Sequence, residues 1–466
     1  SEENLDLYPK TAITEGNFYQ TEDQFVLAVN DVYRQMIRTY EAGGIADIYG
    51  ELRSDNTYIE FIGGSSNSAE RISDFNIPTN DADTENAWQD SYNAIFICND
   101  VLSRLENTSV EFSSQDLKER LTAEATFVRA LIYFNMVRVW GDIPLPLIPL
   151  SPEEGYEYLR EDAEVVYEQI INDLLYAKST LPESYTGNNI GRVTKYGATA
   201  VLAKVYLTRG NTSAATTELK EIIDSGLYSL DADGNGTVNA DDYRHLFHPD
   251  TKNSQASLLE VQYLEGQNAV NSDHQQAYTP YQWSFHLPGI NETFRGGGRN
   301  TPTQDLVDEF EALDTVRQII SVYPGYVNLE SGEFVDYPFT MKFYDSNWRY
   351  AGQNFEIIRY ADILLMYAEV TQDPTYLNMV RARVGLPGFG EPGYPDQYNT
   401  LERAIEHERR MELCFEFHRF FDLVRTGRAI EVMQAKGYNI DQNKLHFPIP
   451  QRAIDVNPVI TQNEGF

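Results

Sequence analysis

The sequence predicts a mainly α protein: tetratricopeptide-like helical repeats interrupted by one long irregular, loop-rich insertion. Three observations carry this prediction. Apolar residues recur at three- and four-residue spacing through the first 230 residues. Small residues stand where helices would cross, at Ala125, Ala130, Ala198, Ala203, Ala361 and Ala368. From Tyr243 to about Phe355 the periodicity breaks down.

The elements follow in order. Phe25, Val29, Val32, Met36 and Tyr40 mark a first helix, and Trp88, Tyr92, Ile95, Asn99 and Leu102 a second. Leu121, Ala125, Val128, Ile132, Met136 and Val139 mark a third, stopped by Gly141. Val165, Ile170, Leu174 and Ala177 continue the pattern, then Val201, Leu202, Val205 and Tyr206, then Leu219, Ile222 and Ile223. Between the third and fourth, prolines at 144, 146, 149 and 152 demand an extended connector, since that density permits neither helix nor central strand. In the irregular region, Leu258–Tyr263 and Val335–Phe343 read as short strands and Gly296-Gly297-Gly298 as a flexible point. A long irregular insertion in a helical scaffold points to function. Ala404 to Arg428 reads as one helix, its apolar positions interleaved with carboxylates and arginines that would pair along one face at i, i+4.

With 466 residues the chain can bury a substantial core. Its 36 Lys+Arg against 71 Asp+Glu leave a formal charge of -35, which repels phosphate backbones and anionic head groups. Nucleic acid is therefore excluded as a partner, whereas a neutral sugar is indifferent to that field. Cys98 and Cys414 lie far apart inside predicted helices and read as buried free thiols. No run of 18 apolar residues occurs.

The sharpest local motif is Asp231 to Asp242. Counting from Asp231, oxygen-bearing side chains fall at positions 1, 3, 5, 9 and 12 (Asp231, Asp233, Asn235, Asn239, Asp242) and glycine at position 6. The Thr237 carbonyl takes position 7. That is the EF-hand arrangement with a terminal Asp, as in the dockerin variant, and it suits calcium, which seeks six to eight hard oxygens. The alternative is an Asx/Gly turn without an ion. Calcium is expected here in a structural role, pinning the loop.

A second candidate is an aromatic surface. Tyr278, Tyr281, Trp283 and Phe285 crowd one stretch, followed by Asn291 and Arg295. In an extended segment, 281, 283 and 285 would share a side. Trp348 and Tyr350 form another group, and Tyr58, Phe61, Asn67 and Arg71 flank a Gly63-Gly64-Ser65-Ser66 loop. Ring faces for the C–H surface and Asn or Arg forks for hydroxyl pairs are what a sugar site needs. For each ring taken alone the alternative is a core position. Trp88 and Trp140 sit inside helix patterns and are read as core.

Catalysis lacks a signature. His407-Glu408 is followed by Met411 where a zinc-protease helix needs its second histidine, and no nucleophile-elbow, phosphate-loop or dinucleotide fingerprint occurs. Among 71 acidic residues, carboxylate pairs arise by chance. The protein is expected not to be an enzyme.

The C-terminal stretch has the form E-R-x-x-E-L-x-x-E-x-x-R-x-x-D-L-x-R-x-G from Glu408 region to Gly427, followed by Pro448-Ile449-Pro450 and Gln462-Asn463-Glu464-Gly465-Phe466. Together with Ala123 to Ala130, Trp140-Gly141-Asp142-Ile143-Pro144 and Ile358 to Glu369, in that order, it resembles the SusD/RagB family of outer-membrane nutrient-binding lipoproteins. The resemblance covers nearly the whole chain and implies one domain over 1–466, with an α/α superhelix. Within it lie a helical scaffold over 20–230, the ion loop over 231–242, an irregular ligand-binding region over 243–355, and C-terminal helices and tail over 356–466. It implies capture of an oligosaccharide at the cell surface and delivery to a SusC-like TonB-dependent transporter. It also implies a lipid anchor on an N-terminal cysteine, absent from this sequence. Two alternatives stay open: a peptide or protein-nutrient binder of the RagB type, and a repeat scaffold that binds a protein partner through its concave face.

Overall fold

The computed structural model describes residues 18–466 apart from 61, 62, 65, 66, 156, 282–284, 291 and 294. Helix α1 (Glu22–Tyr40) begins where the Thr21 hydroxyl accepts the Gln24 N–H and the Gln24 side chain accepts the Thr21 N–H, a reciprocal capping box. It buries Phe25, Val29, Val32 and Met36, the stripe its spacing predicts. After α2 (Ile45–Gly50), the two-residue strand β1 (Thr57–Tyr58) and α3 (Asn67–Ser73) come α4 (Ala82–Asn107) and α5 (Gln115–Trp140), capped by Asp81 and Ser114. Helix α5 is buried along almost its whole second half and ends at Gly141, whose φ of 74° requires glycine. The rings of Trp88 and Trp140 meet edge-on there, centroids 5.0 Å apart, and both belong to the core.

The proline-rich connector is extended, as its composition demands. Its carbonyls take side-chain donors in place of a backbone ladder: the Tyr92 hydroxyl donates to Pro144 O (2.8 Å), and Tyr133 to Pro146 O (2.6 Å). A short α6 (Pro152–Gly155) precedes α7 (Ala163–Thr180), α8 (Lys195–Thr208) and α9 (Thr212–Asp224); α7 packs on α5, α8 on α7 and α9 on α8. Arg129 of α5 forks onto Asp173 of α7 with two bonds of 2.9 Å inside that stack.

The insertion contains α10 (Ala240–Leu246), β2 (Ser257–Val261), α11 (His274–Tyr278), β3 (Thr301–Pro302), α12 (Gln304–Glu309), α13 (Thr315–Ser321), β4 (Tyr323–Val327), β5 (Phe334–Phe339) and β6 (Phe355–Arg359). Both predicted strands exist, shortened. The strands pair antiparallel as β1–β3, β2–β6 and β4–β5, so two of the three ladders tie distant segments together. The β2–β6 register sets Glu260 opposite Glu356, and both are buried. Burial, then repulsion from Glu260, raises the Glu356 carboxyl well above its ordinary range, so the pair retains a proton. Phe285, Leu287, Ile290, Tyr326 and Phe339 form a small core of their own beneath the β4–β5 hairpin.

The chain closes with α14 (Tyr360–Thr371), α15 (Pro374–Arg383), α16 (Leu401–Leu413), α17 (Arg419–Arg425), α18 (Ala429–Ala435) and α19 (Gln451–Val456). The single helix expected over 404–428 is two. Phe415 and Phe417 both take φ of 65°, a conformation costly for a residue with a side chain. The compensation is Glu51: its buried carboxylate accepts the N–H groups of Phe415 (2.9 Å) and Phe417 (3.2 Å). Burial nevertheless pushes the Glu51 carboxyl up to about 7. Gly50 is obligatory beside it, because a Cβ there would stand 2.1 Å from the Phe417 carbonyl oxygen.

The charge pattern of α16 also differs from expectation. Its carboxylates Glu408 and Glu412 are buried and pair with other elements, not along the helix. Glu412 accepts from Arg317 (3.1 Å), Arg359 (2.8 Å) and Arg383, and Arg359 continues to Glu416 (2.7 Å). Lys342, also buried, donates to Glu416 (2.7 Å) and to the Cys414 carbonyl (2.7 Å). Burial opposes ionisation of Glu412, and Arg383, Arg359 and Arg317 together outweigh it and hold its carboxyl well below the usual range. Cys98 and Cys414 are buried free thiols, as expected.

Candidate functional site

The strap 296–299 organises the aromatic region. Its backbone runs along α11 and the residues after it: Gly297 N donates to Gln276 O (2.7 Å), Gly298 N to Thr279 O (3.0 Å) and Arg299 N to Ala277 O (3.0 Å). The glycines therefore serve close approach, not the flexibility expected from sequence; a Cβ on Gly296 would stand 2.2 Å from the Thr279 carbonyl oxygen. Glu60 N donates to Gly298 O (3.2 Å), extending the β1–β3 pairing to the strap.

Around the strap stand Tyr58, Glu60, Tyr281, Arg295 and Tyr337. Tyr58 is 41% exposed and Tyr281 is half-buried. The Arg295 guanidinium lies 4.1 Å from the centre of the Tyr281 ring, a cation–π contact that fixes both side chains. The Tyr337 hydroxyl donates to Glu60 Oε2 (2.6 Å) and lies 3.3 Å from Thr301 Oγ1. Burial, then the Glu60 bond, raises the Tyr337 phenol, so it stays a donor at any ordinary pH. Tyr337 and Trp348 both pack against the small core, which joins the two aromatic groups. Glu60 and Tyr337 escaped sequence reasoning; alternation in the predicted 335–343 strand was the available signal for Tyr337, and nothing local marked Glu60.

Other expected residues are placed differently. Tyr278 is 1% exposed, among His274, Phe343 and Phe417, and Phe285 is fully buried against Tyr326. Both are core, because the insertion has to bury rings of its own to fold, whereas Tyr281 stays half-buried beside Arg295. Arg71 is committed to Asp81 (3.1 Å), the buried cap of α4, and Asn67 opens helix α3 instead of lying in a loop. Asn67 itself is exposed. Trp348 and Tyr350 are half-buried in one 3₁₀ turn, with Arg349 4.4 Å over the Trp348 ring and bonded to Glu292 (3.2 Å). Phe61, Trp283 and Asn291 lie outside the described residues.

The 231–242 loop is compact. Asp231, Asp233 and Asp242 bring carboxylate oxygens within 4.8 Å of one another. Gly234 and Gly236 make the turn with φ of 71° and 85°. Backbone N–H groups orient the carboxylates: Gly236 to Asp231 (2.8 Å), Asn235 to Asp233 (3.0 Å), Ala232 to Asp242 (2.8 Å) and Asn239 to Asp242 (2.7 Å). The last of these, with Asn239 as cap, starts α10. The Asn235 and Asn239 oxygens accept from Thr237 N (2.7 Å) and Asp241 N (2.8 Å), and the Thr237 carbonyl accepts from Asn239 Nδ2 (3.3 Å). Against burial, the Gly236 N–H and the Asp233 side chain hold the Asp231 carboxyl low. No Lys or Arg among the described residues pairs with these three carboxylates. A donor set of hard oxygens without a compensating cation fits calcium.

Comparison with known proteins bears on the whole chain. The sequence pattern of the SusD family matches residues 319–466, and that of a family described as starch-binding, associating with outer membrane, matches residues 17–207. The chain belongs to the SusD family. Among its relatives, SusD-like protein P25 of Formosa agariphila is 26% identical over an alignment covering 100% of this chain and 95% of that protein. A solved laminarin binding SusD-like protein is 28% identical, with a TM-score of 0.81 over 96% of this chain and 100% of the other. Surface glycan-binding protein A from Bacteroides thetaiotaomicron, solved with laminarihexaose, shares the fold at 20% identity and a TM-score of 0.77, over 95% of this chain and 99% of that one. As in the family expectation, the chain is a mainly helical superhelix carrying the insertion. Among the described residues, no helix is long and apolar enough to cross a membrane.

Proposed function

We propose that this SusD-family chain binds a neutral oligosaccharide at the cell surface and passes it, unaltered, to a SusC-like TonB-dependent transporter, held to the outer membrane by a lipidated N-terminal cysteine. One observation carries the binding site: the half-buried Tyr281 ring, braced by Arg295 and set beside Tyr58, Glu60 and Tyr337, where three separate segments meet. An exposed ring and hydroxyl-reading side chains fixed in advance lower the ordering cost of gripping a sugar. Laminarin oligosaccharides are the first probe, because the 28%-identical solved relative is a laminarin binder. The charge of -35 is consistent with an uncharged ligand.

The 231–242 loop, in this reading, holds a calcium ion through Asp231, Asp233, Asn235, the Thr237 carbonyl, Asn239 and Asp242. It shares no residue with the aromatic site, so its role is to fix the start of the insertion.

Calorimetric titration with laminarihexaose and with a panel of neutral oligosaccharides and peptides tests the proposal. Tyr281→Ala should weaken oligosaccharide binding by about tenfold or more while leaving the melting temperature within a few degrees. Heat with peptides alone would favour the RagB-type alternative, and turnover of any saccharide would overturn the non-catalytic reading.

A further inference from the structure

Acidic residues outnumber basic ones 71 to 36, and the arginines of this chain are paired accordingly. Arg53, Arg138 and Arg160 depart from this: among the described residues none of them has a carboxylate within ion-pair distance. They come from distant parts of the sequence and converge on one place, around His446.

Arg138, in the last turn of α5, lies flat between the Phe134 and Phe421 rings, 3.8 Å and 3.7 Å from their centres. Its bonds go to the Phe134 carbonyl (3.0 Å) and the Asn135 amide oxygen (2.9 Å), both neutral. Arg160 donates to the Asp142 and Thr461 carbonyls (2.8 Å each) and to Asn463, again neutral oxygens. Arg53 is 1% exposed, stacked 4.4 Å over Phe75 and 4.9 Å over Phe447, and donates to the Lys444 carbonyl. Its Nε and Nη1 have no partner. Burial lowers the guanidinium of Arg53 to about 9 and that of Arg138 to about 10, values that a facing carboxylate would reverse. His446 is pushed down by burial and then by Arg53, so it stays neutral and adds no further positive charge.

Arg138, Arg160 and His446 line a pocket of about 490 Å³ between the end of α5, the start of α7, α17 and the tail. The Val139 and Trp140 carbonyls at the end of α5 are already taken, by Phe447 N–H (2.8 Å) and by Asn463 Nδ2 (2.9 Å). The acidic lining group is Asp142, whose Oδ1 is bonded to Ala163 N (2.9 Å). Arg209 and Arg425 also line the wall, but Glu164, Glu369 and Asp422 neutralise them. The pocket thus carries excess positive charge inside a strongly negative molecule. An uncompensated buried cation is costly, and an oxyanion relieves that cost with charge-assisted bonds.

We propose that this pocket is a binding site for a small oxyanion, the carboxylate or sulfate of an acidic sugar or the free inorganic ion. It stands apart from the aromatic site and does not depend on the glycan reading. Calorimetry at low ionic strength with sodium sulfate, inorganic phosphate, glucuronate and, as neutral control, glucose tests it. Saturable binding of at least one of the three anions and none of glucose is expected. Arg138→Met, which keeps an apolar stem between the two rings, should weaken that binding by about tenfold or more, and Tyr281→Ala should leave it unchanged. Binding of glucuronate alone would assign the site to an acidic sugar; equal binding of sulfate or phosphate would assign it to the oxyanion group itself. Arg160→Gln serves if Arg138→Met fails to fold. Absence of binding for all three anions to the wild-type chain, or unchanged affinity in a folded variant, overturns the proposal.

Discussion

Glu412 and Asp231 both sit in tight carboxylate clusters, with opposite surroundings. Glu412 is enclosed by three arginines drawn from three other elements. Asp231 has Asp233 and Asp242 for company, backbone N–H groups for support and, among the described residues, no basic side chain paired with it. The Glu260–Glu356 pair lies between these cases, balanced by a retained proton. What neutralises a gathered carboxylate separates scaffold from site: fixed arginines complete a structure, whereas a gap in compensation leaves room for an ion. The same logic with signs reversed singles out Arg53, Arg138 and Arg160.

The comparison can be broken at each of its corners. The largest effect is expected from Glu412→Ala, which strips Arg317, Arg359 and Arg383 of a shared acceptor while they stay buried. Urea denaturation should show a loss of about 3–5 kcal/mol. A loss below about 1 kcal/mol would mean that the arginines find other partners and that the network is not a keystone.

Next comes the 231–242 loop, proposed to hold calcium. With calcium at about a hundredfold over its Kd, chelation should cost about 2.7 kcal/mol and lower the melting temperature. Asp233→Asn should abolish that response, because it removes the charge of one of the three clustered carboxylates. An unchanged melt in excess chelator would return the loop to an ordinary turn.

The smallest effect concerns the proton. The native Glu356 carboxyl is raised, so the stability due to its proton is complete below the ordinary glutamate range and is lost as pH rises towards the native value. The slope cannot exceed about 1.4 kcal/mol per pH unit for one proton. Glu356→Gln should flatten it and be more stable than wild type at pH 8. Parallel stability curves for the two chains would show that the pair binds no extra proton.

The scaffold was legible because its signal is local. Phe25 to Tyr40 and Leu121 to Val139 announce helices within a few turns, and Gly141 announces an end. The break at Phe415 and Phe417 was not, since its cause, Glu51, lies 364 and 366 residues away and no neighbouring residue hints at it. The clustering of Asp231, Asp233 and Asp242 was readable because one contiguous segment supplies all three. The aromatic site was readable only in part. Tyr58, Tyr281 and Arg295 assemble, but composition cannot tell Tyr281 from Tyr278 three residues earlier, which α11 turns inward. Glu60 matters through Tyr337, a partner 277 residues away.

The Glu51 clamp has a consequence in time as well as in space. At about 5–20 residues per second, roughly 20–70 s separate synthesis of Glu51 from that of the two phenylalanines that enclose it. Until then α2 has no lid, and the opening helices wait with their acidic anchor in water. Closure over so long a span must be among the last events of folding, so a nascent chain that stalls before its final fifty residues stays open however well its early helices form.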